Sequence, residues 1–171
     1  MTKTVVRLAA YNPAWEEQFR YEKQRILSVL GDKAIRIEHI GSTSIYGLSA
    51  KPIIDILAGV EDLEIVDHII TPLEKVNYEY IPKPEIMDRK FFRKGPWGQG
   101  TVHLHICQHN GKEWVEKLLF RDYLRSHPQA AKAYEDLKME LANLHTYDRQ
   151  TYTKKKEPFI REIIQSARKT M

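Results

Sequence analysis

The chain predicts an α+β fold in which a mixed sheet of about five strands is flanked by helices. Three observations carry this expectation. Short β-branched runs alternate with turn-forming segments between residues 35 and 107, apolar residues at helical spacing dominate before and after, and no internal repeat or long linker divides the 171 residues. Residues 1–171 are therefore expected to form one domain, with a helical C-terminal part from about residue 111.

Asn12 and Pro13 open a helix predicted to reach Leu30, because Asn caps well, Pro suits the first helical position and Gly31 suits the exit. Trp15, Phe19, Ile26 and Leu30 give it an apolar stripe. Residues 35–40 are short and β-branched, hence a strand, and run into the turn composition Gly41-Ser42-Thr43-Ser44. The apolar run 53–60, after Lys51-Pro52, suits a central strand. Residues 62–76 place Ile65, Ile69 and Leu73 at helical spacing, with Pro72 expected to bend or bound the helix. Strands are predicted at 78–81, 90–94 and 102–107, separated by Pro- and Gly-rich loops at 82–88 and 95–100. Helices follow at 113–125, 128–144 and about 151–169, with Pro128 at a start and Pro158 at a kink.

Composition removes several classes. Hydrophobic residues at 42%, charged residues at 29%, 8 Gly and 8 Pro exclude collagen and low-complexity disorder. The single cysteine, Cys107, excludes an internal disulfide and predicts a cytoplasmic location; it follows an apolar run and reads as a buried small hydrophobe. No stretch approaches the roughly 18 apolar residues of a membrane span, so neither export nor a membrane partner is expected. The net charge of +4 and pI near 9.0 invite a polyanionic partner. Residues 149–171, however, hold seven Lys and Arg against two Glu, which leaves the rest of the chain close to neutral. A small phosphorylated ligand fits that distribution better than DNA or RNA.

The most informative stretch lies between residues 35 and 60. A Gly and three hydroxyl residues after a strand offer N–H and O–H donors to a phosphate, and a helix starting there would add its dipole. Ordinary turn chemistry explains the same residues. Asp55 is an ionisable residue inside an apolar run: a buried carboxylate there demands a metal cation, Lys51 or donors on a neighbouring strand, and a structural Asp solvated at a strand end is the other reading.

The run Ile37-Glu38-His39-Ile40-Gly41-Ser42-Thr43-Ser44, then Gly47-Leu48, then Ala50-Lys51-Pro52-Ile53-Ile54-Asp55-Ile56 resembles the signature of the bacterial GrpB family. Residues 5–15, 103–106 and 120–128 match the pattern too, so the resemblance covers most of the chain. It implies the nucleotidyltransferase-like fold. In that superfamily a Gly-Ser turn precedes a strand bearing Asp-x-Asp or Asp-x-Glu, a later strand adds a third carboxylate, and these hold divalent metal on the nucleotide phosphates. Gly41 and Ser42 match the turn, and Asp55 matches the first carboxylate. Leu57 stands at the second and cannot ligate a metal, which conflicts with two cations about 3.5–4 Å apart on shared carboxylates.

His103 and His105 alternate with Leu104 and Ile106 and so share one strand face. With Asp55 on a neighbouring strand they make a two-His-one-carboxylate set, suited to Mn, Fe, Ni or Zn better than Mg; hydrogen bonding to substrate or water explains them as well. Glu38 and His39 point to opposite faces by parity, so at most one joins. Arg89, Lys90, Arg93 and Lys94 flank Phe91-Phe92 and suit either phosphate and base contacts or a solvated edge strand. Arg121 and Arg125, four apart on a helix, suit a phosphate clamp or local ion pairs, and Lys154-Lys155-Lys156 reads as a solvated face.

The expectation is a nucleotidyltransferase-like protein that binds a nucleotide or other phosphorylated small molecule at Gly41, Ser42, Thr43, Ser44, Lys51, Arg93 and Arg121. A divalent metal (Mg, Mn or Zn) is expected on Asp55, His103, His105, Glu38 or His39, with Asp55 catalytic. A ligand-binding module without turnover and a metal-dependent hydrolase are the competing readings.

Overall fold

The computed structural model describes residues 5–95 and 101–170. Most of the loop expected at 95–100 lies outside the described residues. Five strands form one mixed sheet: β1 (Arg36–Ile40), β2 (Ile54–Val60), β3 (Glu79–Ile81), β4 (Arg89–Lys94) and β5 (Val102–Gln108). Their order is β1-β2-β5-β4-β3, with β2 and β5 parallel and the other pairs antiparallel. The helices are α1 (Ala14–Leu30), α2 (Ile70–Glu74), α3 (Lys112–Ser126), α4 (Pro128–Leu144) and α5 (Arg149–Lys169).

The central pair is buried on both sides, which is why β2 reads as a nearly continuous apolar run. Ile54, Ile56, Ala58 and Val60 pack with Leu104, Ile106 and Phe92 beneath Trp15, Ile26 and Leu30 of α1. On the other face Leu57 and Cys107 meet Ile40 and Trp114 of α3. Gly59 makes that approach possible, because a Cβ there would lie 3.0 Å from the Trp114 ring. Leu124, Tyr134 and Ile163 bind α3, α4 and α5 into a second cluster that also buries Ile45 and Leu48.

Two expected elements change. Residues 62–76 do not form one helix: a 3-10 segment, Leu63–His68, precedes the one-turn α2. Pro72 lacks the N–H that would carry a longer helix. Conversely, α5 starts earlier than expected, with Asp148 accepting from the Thr151 N–H at 3.0 Å, and it continues through Pro158.

Candidate functional site

Register places the polar residues of four strands on the α3 face. Asp55 lies opposite Ile40 on β1 and His103 on β5, and His103 lies opposite Arg93 on β4. One level along, Glu38, Leu57, His105 and Phe91 form the next row. The level that Leu57 leaves without a ligand therefore carries His105 on the adjacent strand.

Both imidazoles converge on one carboxylate oxygen. His105 Nε2 lies 3.4 Å and His103 Nδ1 3.7 Å from Asp55 Oδ1. The Asp55 side chain is 29% exposed, so the carboxylate is not sealed inside the core. Burial raises the Asp55 carboxyl, but the His105 hydrogen bond and the charges of His105, His103 and Lys51 outweigh it and hold Asp55 below its usual range. Burial pushes His103 down to about 4, and His105 also falls, so at neutral pH an ionised carboxylate faces two neutral imidazoles. These are the protonation states in which Asp and His ligate metals.

The donor chemistry fits a divalent ion in part. Two ligands roughly 2.0–2.2 Å from one tetrahedral ion stand about 3.3–3.6 Å apart, close to both Asp55 to His separations. His105 Nδ1 is buried with no hydrogen-bond partner. Yet among the described residues no group of three or more His, Cys, Asp or Glu side chains is arranged to hold a metal. Asp55 forms two separate ligand-length pairs rather than one closed triad.

The turn after β1 departs from the expected phosphate cradle. Ser42–Ser44 is a single 3-10 turn, with no helix behind it to add a dipole. Thr43 and Ser44 are buried: Thr43 donates to the Ile53 carbonyl and contacts His39 Nε2 at 3.0 Å, while Ser44 donates to the Gly41 carbonyl. Ser42 lies beside the Tyr134 hydroxyl. Gly41 has a different task. Its φ of +74 and the 2.6 Å separation between a built Cβ and Asp55 Oδ2 require glycine, so it lets the backbone pass against the carboxylate.

Other expected site residues are held elsewhere. His39 stacks on Phe19 of α1 at 4.7 Å, on the face opposite Asp55, and burial drives it to about 4. Glu38 accepts from Arg36 and Arg121, both at 2.8 Å. Arg121 is buried and also binds Asp122 and the His39 carbonyl, so it fastens α3 to β1 instead of presenting a phosphate clamp. Arg125 donates to the Ser44 carbonyl. Arg93 stays beside His103 on the sheet, pairs with Glu79 at 3.5 Å and keeps its Nε buried and unpartnered.

What sequence reasoning missed is the contribution of α5. Lys154 and Lys155 are exposed as expected, but Lys156 is half-buried, with its Nζ 4.6 Å from the centre of the Tyr152 ring. Lys51 Nζ lies 5.2 Å from the same ring. Burial, with the charges of Lys156 and Arg149, pushes Lys51 down to about 7, and burial chiefly lowers Lys156 to about 8. Asp55 opposes both shifts, which places these amines in the field of the same carboxylate. The available signal was Tyr152 four residues before Lys156, a spacing that puts both on one helix face.

Among the described residues no helix is long and apolar enough to cross a membrane. The family model for GrpB protein matches residues 5–166. A relative from Bacillus subtilis, UPF0157 protein YqkA, is 40% identical over 98% of this chain, which spans 48% of that protein. The solved structure of conserved protein GrpB from Enterococcus faecalis superposes with a TM-score of 0.88 at 39% identity, covering 96% of this chain and 98% of that one. The Cid1 poly(U) polymerase aligns at 10% identity and a TM-score of 0.53 over 80% of this chain and 43% of its own, a likeness of fold alone. With the five-stranded mixed sheet and the Gly41 to Asp55 contact in place, these matches make the chain a member of the GrpB family with a nucleotidyltransferase-like fold.

Proposed function

We propose that this chain binds a nucleotide or another phosphorylated small molecule on the α3 face of its sheet, together with a divalent metal ion. The observation that carries the reading is the convergence of His103 and His105 on Asp55 Oδ1, inside a half-buried set of basic side chains that includes Lys51. Asp55 with one of the two imidazoles, His105 or His103, would hold the ion, which supplies charge neutralisation at a phosphoryl oxygen when bound. Imidazole donors favour Mn or Zn over Mg. Lys51 draws and orients the anionic group, and Gly41 keeps the approach to Asp55 open. Leu57, fully buried beside Trp114, favours a single ion over a pair, and ligand binding without turnover is the reading this supports second.

A metal series tests the proposal. Mn(II) or Zn(II) is expected to raise the melting temperature more than Mg(II), and Asp55→Asn combined with His103→Ala to abolish the rise. Incubation of metal-loaded protein with pooled nucleotides, followed by mass spectrometry, then separates turnover from retention. Melting unchanged by every metal, with no nucleotide retained, would sink the reading.

A further inference from the structure

We infer that α5 completes the site with a subsite for two linked phosphates, formed by Lys156 and Arg149 together with Lys51. The inference rests on the proposed phosphoryl-ligand reading and narrows the ligand to one carrying a diphosphate or longer group.

The argument begins with an imbalance of charge. Lys51 from the segment before β2 and Lys156 from α5 bring their ammonium groups within about 5 Å of the centre of one ring, that of Tyr152. Arg149, Tyr152 and Lys156 stand at i, i+3 and i+7 of α5 and so share one helix face, and the charge of Arg149 bears on both lysines while Asp55 opposes it. Among the described residues none of Lys51, Lys117, Arg149 and Lys156 has an ion-pair partner. Behind them Lys138 is 1% exposed and donates to the Ser49 carbonyl.

A folded chain bears the cost of gathering like charges in a half-buried place unless something compensates them. Burial is the main cause of the lowered amines, and repulsion from neighbouring cations adds to it.

A second observation is independent of charge. Tyr152 is fully buried, and its hydroxyl has no hydrogen-bond partner, although a buried tyrosine usually finds one. An unsatisfied donor beneath two unpaired ammonium groups is the environment an oxyanion fills. Orthophosphate, at about −2, offers less charge than Lys51, Lys156 and Arg149 present together. Linked phosphates present more acceptor oxygens over a longer reach, so that one phosphoryl group meets the lysines while its neighbour stays near Asp55.

The test is calorimetric titration of the full chain in EDTA, with inorganic pyrophosphate and orthophosphate as probes. Wild type is expected to prefer pyrophosphate at least tenfold. Lys156→Met and Arg149→Gln are expected to lose that preference, while Lys156→Arg and the exposed pair Lys154→Gln with Lys155→Gln keep it. Equal affinity for the two anions overturns the subsite, as do Lys156→Met and Lys156→Arg behaving alike, or the exposed pair losing as much as Lys156→Met. Mn(II) binding measured separately keeps the two readings apart. Pyrophosphate preference without Mn(II) binding removes the metal and leaves the subsite, whereas Mn(II) binding that needs Asp55, without that preference, removes the subsite alone.

Discussion

The two faces of β2 and β5 carry opposite chemistry. Toward α1 the strands present Ile54, Ile56, Ala58, Leu104 and Ile106, all fully buried in one apolar cluster. Toward α3 the same strands present Asp55, Leu57, His103, His105 and Cys107, of which only Leu57 and Cys107 belong to an apolar cluster. Alternation along a strand lets one element serve two purposes, with neighbouring positions free to obey different rules. The α1 face supplies cohesion, and the α3 face tolerates ionisable groups because water and the basic side chains of α3 and α5 reach it.

The largest effect should come from forcing the second face to imitate a carboxylate pair. Leu57→Asp places a second carboxylate two positions after Asp55, but Leu57 is fully buried against Trp114 and Cys107. The variant should lose upwards of about 3 kcal/mol in urea denaturation, because an unpaired carboxylate enters an apolar contact. Retained stability with a gain in metal binding would erase the contrast between this position and Asp55.

Acid should come next. Burial pushes His39 on one face and His103 on the other to about 4. Between pH 6.5 and 4 the unfolded chain binds protons that the folded chain refuses, so stability present above pH 6.5 falls as the pH drops through that window. Each histidine contributes about 2–3 kcal/mol at most. His103→Ala should flatten the melting profile between pH 6.5 and 4, and an unchanged slope would show that His103 is not the neutral group described.

Gly41→Ala should cost about 1–3 kcal/mol from its backbone conformation, with displacement of Asp55 added, read from chemical denaturation and from lost metal response. Asp55→Asn should have the smallest effect on the fold, about 1 kcal/mol, while abolishing metal-induced stabilisation. A large loss of stability there would make Asp55 a structural residue and dissolve the division between the faces.

Much of this was legible in the sequence, and the reasons are particular. His103 and His105 were read correctly as sharing a face, because period-two alternation survives any register. Asp55 announced itself by interrupting an apolar run. The roles assigned to Thr43, Ser44 and Arg121 could not be checked at that level, since a hydroxyl or guanidinium looks the same in a sequence whether it faces a ligand or a neighbouring carbonyl. In the fold Thr43 and Ser44 turn inward and Arg121 is taken by Glu38 and the His39 carbonyl. The basic C-terminal segment was underestimated for a related reason: Lys154, Lys155 and Lys156 are chemically identical, and only helix phase separates the exposed pair from the one over Tyr152.

By itself the sequence determined the element order, the apolar face of β2 and β5, and the family signature from Ile37 to Ile56, because local propensity and side-chain alternation act over a few residues at a time. Tertiary structure alone decided that β5 lies parallel to β2 at the register bringing both histidines to one Asp55 oxygen. It also decided that α5 folds back to set Lys156 beside Lys51. Those contacts join residues 48 to 105 positions apart, and their geometry follows from how sheet and helices pack around a shared core rather than from any local pattern.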